Sequence, residues 1–357
     1  MRGGEKALEP ICAAYPGADL FTLLHIPGTV SPTIEARPIH TSFVQHLPAV
    51  ERYYRHYLPL FPTAIERFSF EPFDFVLSFS HCVAKSVVVP VTVPHICYCF
   101  TPMRYAWDQF DAYFGPERVG RVMSAALRPV LAHMARWDRR TSTRVNRYLA
   151  ISQYVAQRIR RYYDREATIV YPPVDTDFYR PDASVPGGHF LIVSALVPYK
   201  RVELAIQACQ RLGAPLRIVG DGPERANLER TAGKDVEFLG RLSDEDVRRE
   251  YRAAAAIILP GEEDFGIVPV EAQACGRPVV ALGLGGVLET VVDGETGVFA
   301  SEATASSLAD ALDRVTQQRF DPLRIRANAE QFSTARYLST FSAAVAETLD
   351  ARPGTKW

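Results

Sequence analysis

The stretch Pro260-Gly-Glu-Glu-Asp-Phe-Gly-Ile-Val-Pro-Val-Glu271 lies between two short apolar runs, Ala256–Leu259 and Pro278–Leu282. It predicts a strand ending at Leu259, a loop, and a helix with Pro269 as its first residue, where a missing N–H is tolerated. That helix stops before Gly276-Arg277-Pro278. A helix entered straight from a strand is the repeating unit of parallel α/β sheets. Its N-terminus sits at the C-terminal end of the strand, where such sheets bind ligands. The amides around Phe265, Gly266, Ile267 and Val268 then point outward from a helix start and offer an anion site. Glu263 and Glu271 flank that site with seven residues between them. Carboxylates do not bind phosphate, but they suit the hydroxyls of a sugar or a ribose. The alternative is that Glu271 only complements the helix dipole and Glu263 is solvated.

Three more loops of the same kind surround this one. Leu196-Val-Pro-Tyr-Lys-Arg201 follows a strand ending at Ala195 and precedes a helix with Val202, Ile206, Cys209 and Leu212 on one face and Gly213 as its stop. Lys200 and Arg201 are expected in its first turn, where each cation opposes the dipole by ~0.3–1 kcal/mol unless an anion binds there. Ordinary surface cations are the alternative. Ile218-Val-Gly-Asp-Gly-Pro-Glu224 places Gly220, Asp221 and Gly222 between a strand and a helix. Such a turn is weak evidence alone and gains weight only from lying on the same sheet edge. Gly285-Gly286-Val-Leu-Glu289 supplies the fourth loop.

The same alternation runs through most of the chain. Expected strands are Leu20–Leu24, Phe73–Phe79, His95–Phe100, Arg147–Ile151 and Thr168–Tyr171 in the first half. In the second half they are Phe190–Ala195, Leu216–Val219, Val236–Leu239, Ala256–Leu259 and Pro278–Leu282. A Pro- and Gly-rich break, Tyr171-Pro-Pro173 to Gly187-Gly188, reads as a linker. The domains expected are 1–173, with an aromatic and Arg-rich helical insertion at 101–145, and 174–334. A terminal helix within 335–357 is expected to pack back on the first domain.

The 357 residues carry a formal net charge of −1, which gives no general case for nucleic-acid binding. The balance is +4 over residues 1–183 and −5 over the remainder. Six cysteines, Cys12, Cys82, Cys97, Cys99, Cys209 and Cys275, form no CxxC pair and read as buried free thiols suited to a reducing cytoplasm. Val83–Phe100, the most apolar stretch, is interrupted by Lys85, Pro90, Pro94 and His95 and reads as strands rather than a membrane span.

The segment EEDFGIVPVEAQACGRPVV, with LVPYKR, VGDGPE, FLGRLSDE and GGVLETVVDGETG in the same order and spacing, resembles the retaining family-four glycosyltransferases over nearly the whole chain. HTSFVQHLP, YRHYLPLFP, SHCVAKS and TPMRYAWDQ look like the bacterial branch that adds mannose or a similar sugar to O-antigen or capsule precursors. The resemblance implies the GT-B fold, two Rossmann-like α/β domains facing a cleft, with the first strand of the N-terminal domain missing. It implies that Glu263 holds donor-sugar hydroxyls and Glu271 the ribose. Lys200 neutralises the diphosphate, the amides near Gly266 contact it, and the loop after the strand ending at Leu239-Gly240 reads the base, while Arg201 is expected to stand in for the Arg that many members carry in place of Ala195. No cofactor or metal is expected if Lys200 and the helix neutralise the leaving group. No Asp-x-Asp pair is read as a metal site. The donor expected is a nucleotide sugar, GDP-mannose first. The acceptor is a saccharide or lipid-linked molecule, and the location is the cytoplasm or the inner face of the plasma membrane.

Gly3, Gly4, His81, Phe100 and Thr101 are expected on the acceptor side. Phe100 stands where related sequences usually have His, and Ala195 where many have Arg. The chain enters its first helix directly from Met1-Arg-Gly-Gly-Glu-Lys. Met1 is therefore read as an internal methionine and Gly3-Gly4 as the tail of a glycine loop. The clusters at Arg52–Tyr57, Arg136–Arg140 and Arg158–Tyr163 read as solvated helix faces, or else as contacts to anionic lipid or a lipid diphosphate. Competing readings are a non-catalytic nucleotide-sugar-binding homologue, a nucleotide-sugar epimerase of the same architecture and, least of all, a nicotinamide dehydrogenase, since no strand–GxGxxG–helix appears.

Overall fold

A computed structural model describes residues 3–182, 188–352 and 354–357. Met1 and the Gly187 end of the expected linker lie outside the described residues. The chain divides into two compact units: Met1–Pro172 with Tyr337–Trp357, and Pro173–Arg336.

The first described element of unit one is the helix Gly3–Ala14. Strands β1 (Leu20–Thr22) and β2 (Ile39–Thr41) form a two-stranded parallel ribbon. The main sheet is parallel, in the order β3 (Val76–Ser80), β4 (His95–Cys99), β5 (Arg147–Ala150), β6 (Thr168–Ile169). Every residue of β4 and β5 is buried, as expected of a parallel sheet covered on both faces. The helix Thr334–Asp350 buries Tyr337, Phe341, Ala344, Val345 and Thr348. Phe341 stacks on Phe79 at 6.0 Å and meets Tyr98 edge-on at 5.7 Å, while the Tyr337 hydroxyl donates to the Ala7 carbonyl at 2.9 Å.

The 101–145 segment holds four α-helices, the longest being Arg121–Thr141, and ends in a 3₁₀ turn, Ser142–Arg144. Of the apolar run Val83–Phe100, only His95–Cys99 is a strand. Prolines 90 and 94 offer no N–H to a ladder, so the rest runs as a short 3₁₀ turn, Ala84–Ser86, and irregular chain. Two of the three basic clusters, Arg136–Arg140 and Arg158–Tyr163, are solvated only in part. Asp138 lies in the core, 2.8 Å from the equally buried Lys85 ammonium, and accepts from Trp107 Nε1 and the Tyr163 hydroxyl, each at 2.8 Å. Arg158 is buried against Asp108, and Tyr162 and Tyr163 are buried with it. A buried charge is tolerated only when paired and hydrogen-bonded in this way, so these residues are not a solvated face.

Unit two is a six-stranded, all-parallel sheet in the order β12-β11-β10-β7-β8-β9. The strands are β7 (His189–Val193), β8 (Leu216–Val219), β9 (Val236–Gly240), β10 (Ala254–Leu259), β11 (Val279–Leu282) and β12 (Gly297–Ala300). Helix starts are fixed by local chemistry: Ser243 Oγ accepts from the Asp246 amide at 3.2 Å, and Thr304 Oγ1 from the Ser307 amide at 3.2 Å. The helix Val202–Leu212 buries Val202, Ile206 and Cys209 and ends at Gly213, but Leu212 is exposed because it falls in the last turn, beyond the packed face. All six cysteines are free thiols, five of them buried.

Candidate functional site

Because all strands of unit two run the same way, the chain leaves β7, β8, β9, β10 and β11 on one edge. The five loops there hold the residues singled out from the sequence. Gly266 caps the helix Ile267–Ala274 with φ +91°, a conformation that favours glycine. The helix therefore starts two residues before Pro269, which occupies its third position. Proline is still tolerated there because the first four amides of a helix have no partner within it.

Lys200 and Arg201 precede the helix Val202–Leu212 rather than forming its first turn. Pro198–Lys200 is a 3₁₀ turn, and Arg201 is the cap residue at φ +51°. Arg201 is exposed. The Lys200 ammonium reaches across to the Glu263 carboxylate and makes a direct ion pair, with the two side chains 19% and 20% exposed. Gly261 permits this approach. A Cβ placed there would stand 2.6 Å from the Tyr199 carbonyl oxygen and 2.9 Å from Lys200 Cα. The Gly286 amide donates to the Glu263 carbonyl at 2.8 Å, which ties the β11 loop to the same segment.

Glu271 lies in the second turn of its helix and is only 5% exposed. It accepts from the Tyr251 hydroxyl at 2.9 Å and is also hydrogen-bonded to Tyr179. It is therefore not a surface complement to the helix dipole. Burial first, and the Glu271 charge next, push both phenols well above their usual range, so both remain O–H donors. Tyr251 was not legible from the sequence as a site residue. Its helix, Asp244–Ala253, is strongly polar, and only Val247 and Tyr251, four residues apart, are buried.

Two features show how this edge is held together. Phe265 does not present its ring to a ligand: the side chain is buried and packs edge-on against Phe332 at 5.4 Å. At Gly220 and Gly222 the space of a side chain is taken by backbone, since a Cβ would meet the Ser194 and Leu196 oxygens at 1.8 and 2.3 Å. Their smallness closes loop on loop. Asp221 accepts from the Gly222 amide at 2.9 Å and lies 3.9 Å from Arg241. Leu239 and Gly240 end β9, half-buried.

On the sheet edge of unit one, β3 and β4 pair Ser80 with Cys99, so His81 and Phe100 leave neighbouring strands together. His81 is exposed. Phe100 packs against Tyr98 at 5.4 Å, and Gly4 lies beside its ring. Thr101 is buried, and its hydroxyl has no hydrogen-bond partner among the described residues. Gly3 opens the first helix.

No cluster of His, Cys, Asp and Glu suited to a metal occurs among the described residues. The sequence does contain two Asp-x-Asp triplets, and both serve local structure. Asp175 Oδ1 accepts from the Phe178 amide at 2.9 Å, and Asp246 pairs with the Ser243 cap. Among the described residues no helix is long and apolar enough to cross a membrane.

Residues 183–332 match the family described as Glycosyl transferases group 1. The chain is 32% identical over 196 residues to D-inositol 3-phosphate glycosyltransferase of Mycobacterium tuberculosis, covering 49% of this chain and 40% of that protein. It is 26% identical over 197 residues to an uncharacterized glycosyltransferase of Methanocaldococcus jannaschii, covering 54% and 56%. The chain thus spans about half the length of the curated relatives it matches. Solved structures align over nearly all of it. Sucrose-phosphate synthase from Thermosynechococcus elongatus gives a TM-score of 0.70 at 18% identity, over 96% of this chain and 92% of that one. Anabaena HepE in complex with UDP gives 0.69 at 16%, over 97% and 96%. The lipopolysaccharide outer core galactosyltransferase WaaB gives 0.64 at 16%, also over 97% and 96%. The fold is GT-B, built from two α/β units with parallel sheets.

Proposed function

We propose that this chain is a retaining glycosyltransferase that moves a hexose from a nucleotide sugar to a saccharide or lipid-linked acceptor in surface polysaccharide synthesis. The observation that carries the reading is the Lys200–Glu263 ion pair beside the helix start at Gly266, with the buried Glu271 one turn further in. A cation, a carboxylate and outward amides on one loop edge match a ligand that is anionic at one end and rich in hydroxyls at the other.

In this reading Lys200 and the amides of Gly266, Ile267 and Val268 hold the diphosphate, with Arg201 at the rim. Glu263 orients the donor sugar and Glu271 the ribose, while the loop after Leu239-Gly240 meets the base. The acceptor oxygen bonds to the anomeric carbon on the face that the diphosphate leaves. The breaking C–O pair stays with the leaving group, and the acceptor proton goes with it. Charge gathering on that oxygen is stabilised by groups already in place, which is electrostatic preorganisation. Lys200 and the helix start make a metal unnecessary in this scheme.

GDP-mannose is the first donor to test, and UDP-sugars stand beside it because HepE was solved with UDP. Exposed Arg52, Arg55, Arg136, Arg139 and Arg140 in unit one support contact with an anionic lipid or lipid diphosphate at the inner membrane face. A thermal-shift screen over GDP-, UDP- and ADP-sugars tests the donor site. A ligand at a hundred times its dissociation constant adds ~2.7 kcal/mol. Transfer from the labelled donor to a lipid acceptor then separates an enzyme from a non-catalytic binder, and product without acceptor would point to an epimerase. No stabilisation by any nucleotide sugar at millimolar concentration would overturn the reading.

A further inference from the structure

We propose that Tyr251 is a positioning residue whose hydroxyl holds the Glu271 carboxylate in the orientation that selects a vicinal diol, so that the site prefers ribonucleotides over their deoxy counterparts. The proposal rests on the nucleotide-sugar reading above.

Tyr251 is fully buried on the helix Asp244–Ala253, and Glu271 is almost as buried on the helix Ile267–Ala274. The two are joined by a 2.9 Å hydrogen bond from the phenol to Oε2. Tyr179 meets the Tyr251 ring edge-on at 5.8 Å and shares the same carboxylate. A glutamate has three side-chain torsions, and in a loose environment its carboxylate samples several directions. Two rigid phenols locked in a packed core remove that freedom before any ligand arrives. An ionised carboxylate has about four acceptor positions, so accepting from phenols is compatible with accepting from ligand hydroxyls as well. Both phenols stay protonated, so each keeps an O–H to donate to the carboxylate. An acceptor fixed in this way recognises O–H groups and gains nothing from a ribose that lacks them. Unpaired buried acceptors are the usual reason that a site rejects an analogue missing a hydroxyl.

The experiment is calorimetric titration of the full chain with UDP and GDP and with their 2′,3′-dideoxy forms, in wild type and Tyr251→Phe. The expected wild-type preference for the ribose form is about tenfold or more for whichever base binds. Tyr251→Phe should cut that preference to about twofold while leaving the dideoxy affinity unchanged, a split that a loss of general packing would not produce. A Tyr251→Phe protein that keeps the full wild-type preference overturns the positioning role and leaves the nucleotide site standing. A wild type that binds ribose and dideoxy forms alike overturns both this inference and the ribose role of Glu271. If Tyr251→Phe does not fold, Tyr179→Phe, which removes the other phenol from the same carboxylate, takes the same measurement with the same two outcomes.

Discussion

Replacing Gly261 by Ala tests whether the Lys200 loop is held in place by backbone contact. Nothing about the substitution is chemical: one methyl group is added at a buried position that meets no ligand in the proposed mechanism. The added carbon would stand 2.6 Å from the Tyr199 oxygen and 2.9 Å from Lys200 Cα. Real Cβ contacts essentially never fall under 3.0 Å and are ordinary only from 3.4 Å. The 198–200 turn must therefore retreat by about 0.4–0.8 Å, the gap from 2.6 Å to those two limits. Displacement of a positioned group by ~1 Å costs up to about a hundredfold in rate, so turnover should fall about 10–100-fold, or ~1.4–2.7 kcal/mol in activation free energy. Overpacking should lower stability by ~1–3 kcal/mol. Gly17→Ala, where an added Cβ meets nothing within 4 Å, is the control and should change neither quantity. The assay is release of nucleoside diphosphate at saturating donor and acceptor, run beside thermal melts. Wild-type turnover in a folded Gly261→Ala protein would refute the reasoning, since Lys200 could then move without consequence.

Lys200→Ala and Glu263→Ala should each lower turnover about 10²–10³-fold while costing only about 1 kcal/mol in stability, because the pair is partly solvated. Near-wild-type rates in both variants, measured by product formation, would remove them from the mechanism. Phe100→His keeps a planar ring against Tyr98 and should raise the transfer rate by supplying an imidazole at the end of β4. A rate that stays level or falls assigns the position to packing. His95, buried and hydrogen-bonded to Ser78 at 2.8 Å, is pushed down to about 3 by desolvation, so the folded protein holds it neutral. Its contribution is intact above the unfolded value near 6.5 and is lost as pH falls toward 3. At pH 5 the loss is about 2 kcal/mol. Comparing denaturant midpoints of wild type and His95→Gln at pH 7.5 and 5 should show that difference, and parallel pH dependence would exclude it.

The strands buried on both faces could be read from the sequence because their apolar runs are long and bounded by turn residues. Two strands could not. The three residues Ile39–Thr41 include an exposed His40 and follow a proline. Gly297–Ala300 begins with glycine at the sheet edge, where only one neighbour, β11, supports it. The helix after β10 was legible because glycine and a nearby proline mark it, although it starts at Ile267, two residues before the proline to which the sequence pointed. The Lys200–Glu263 pair was not, because sixty-three residues separate its members and only the folded sheet edge joins them. Tyr251 was hidden for the opposite reason: its helix is so polar that a solvent-facing role was the natural reading. The buried Lys85–Asp138 pair was likewise concealed among residues that look like surface charge.

The helix Thr334–Asp350 also bears on the order in which the chain acquires structure at the ribosome. Unit two is one continuous segment, whereas unit one needs residues from both sides of it. Tyr337 and Phe341, which fill the aromatic core around Tyr98, are translated more than two hundred residues after it. Synthesis proceeds at ~5–20 residues per second, so the first unit waits about 10–40 s for its last helix. The unit that emerges first is thus completed last, and during that interval its β4 face is open to chaperones.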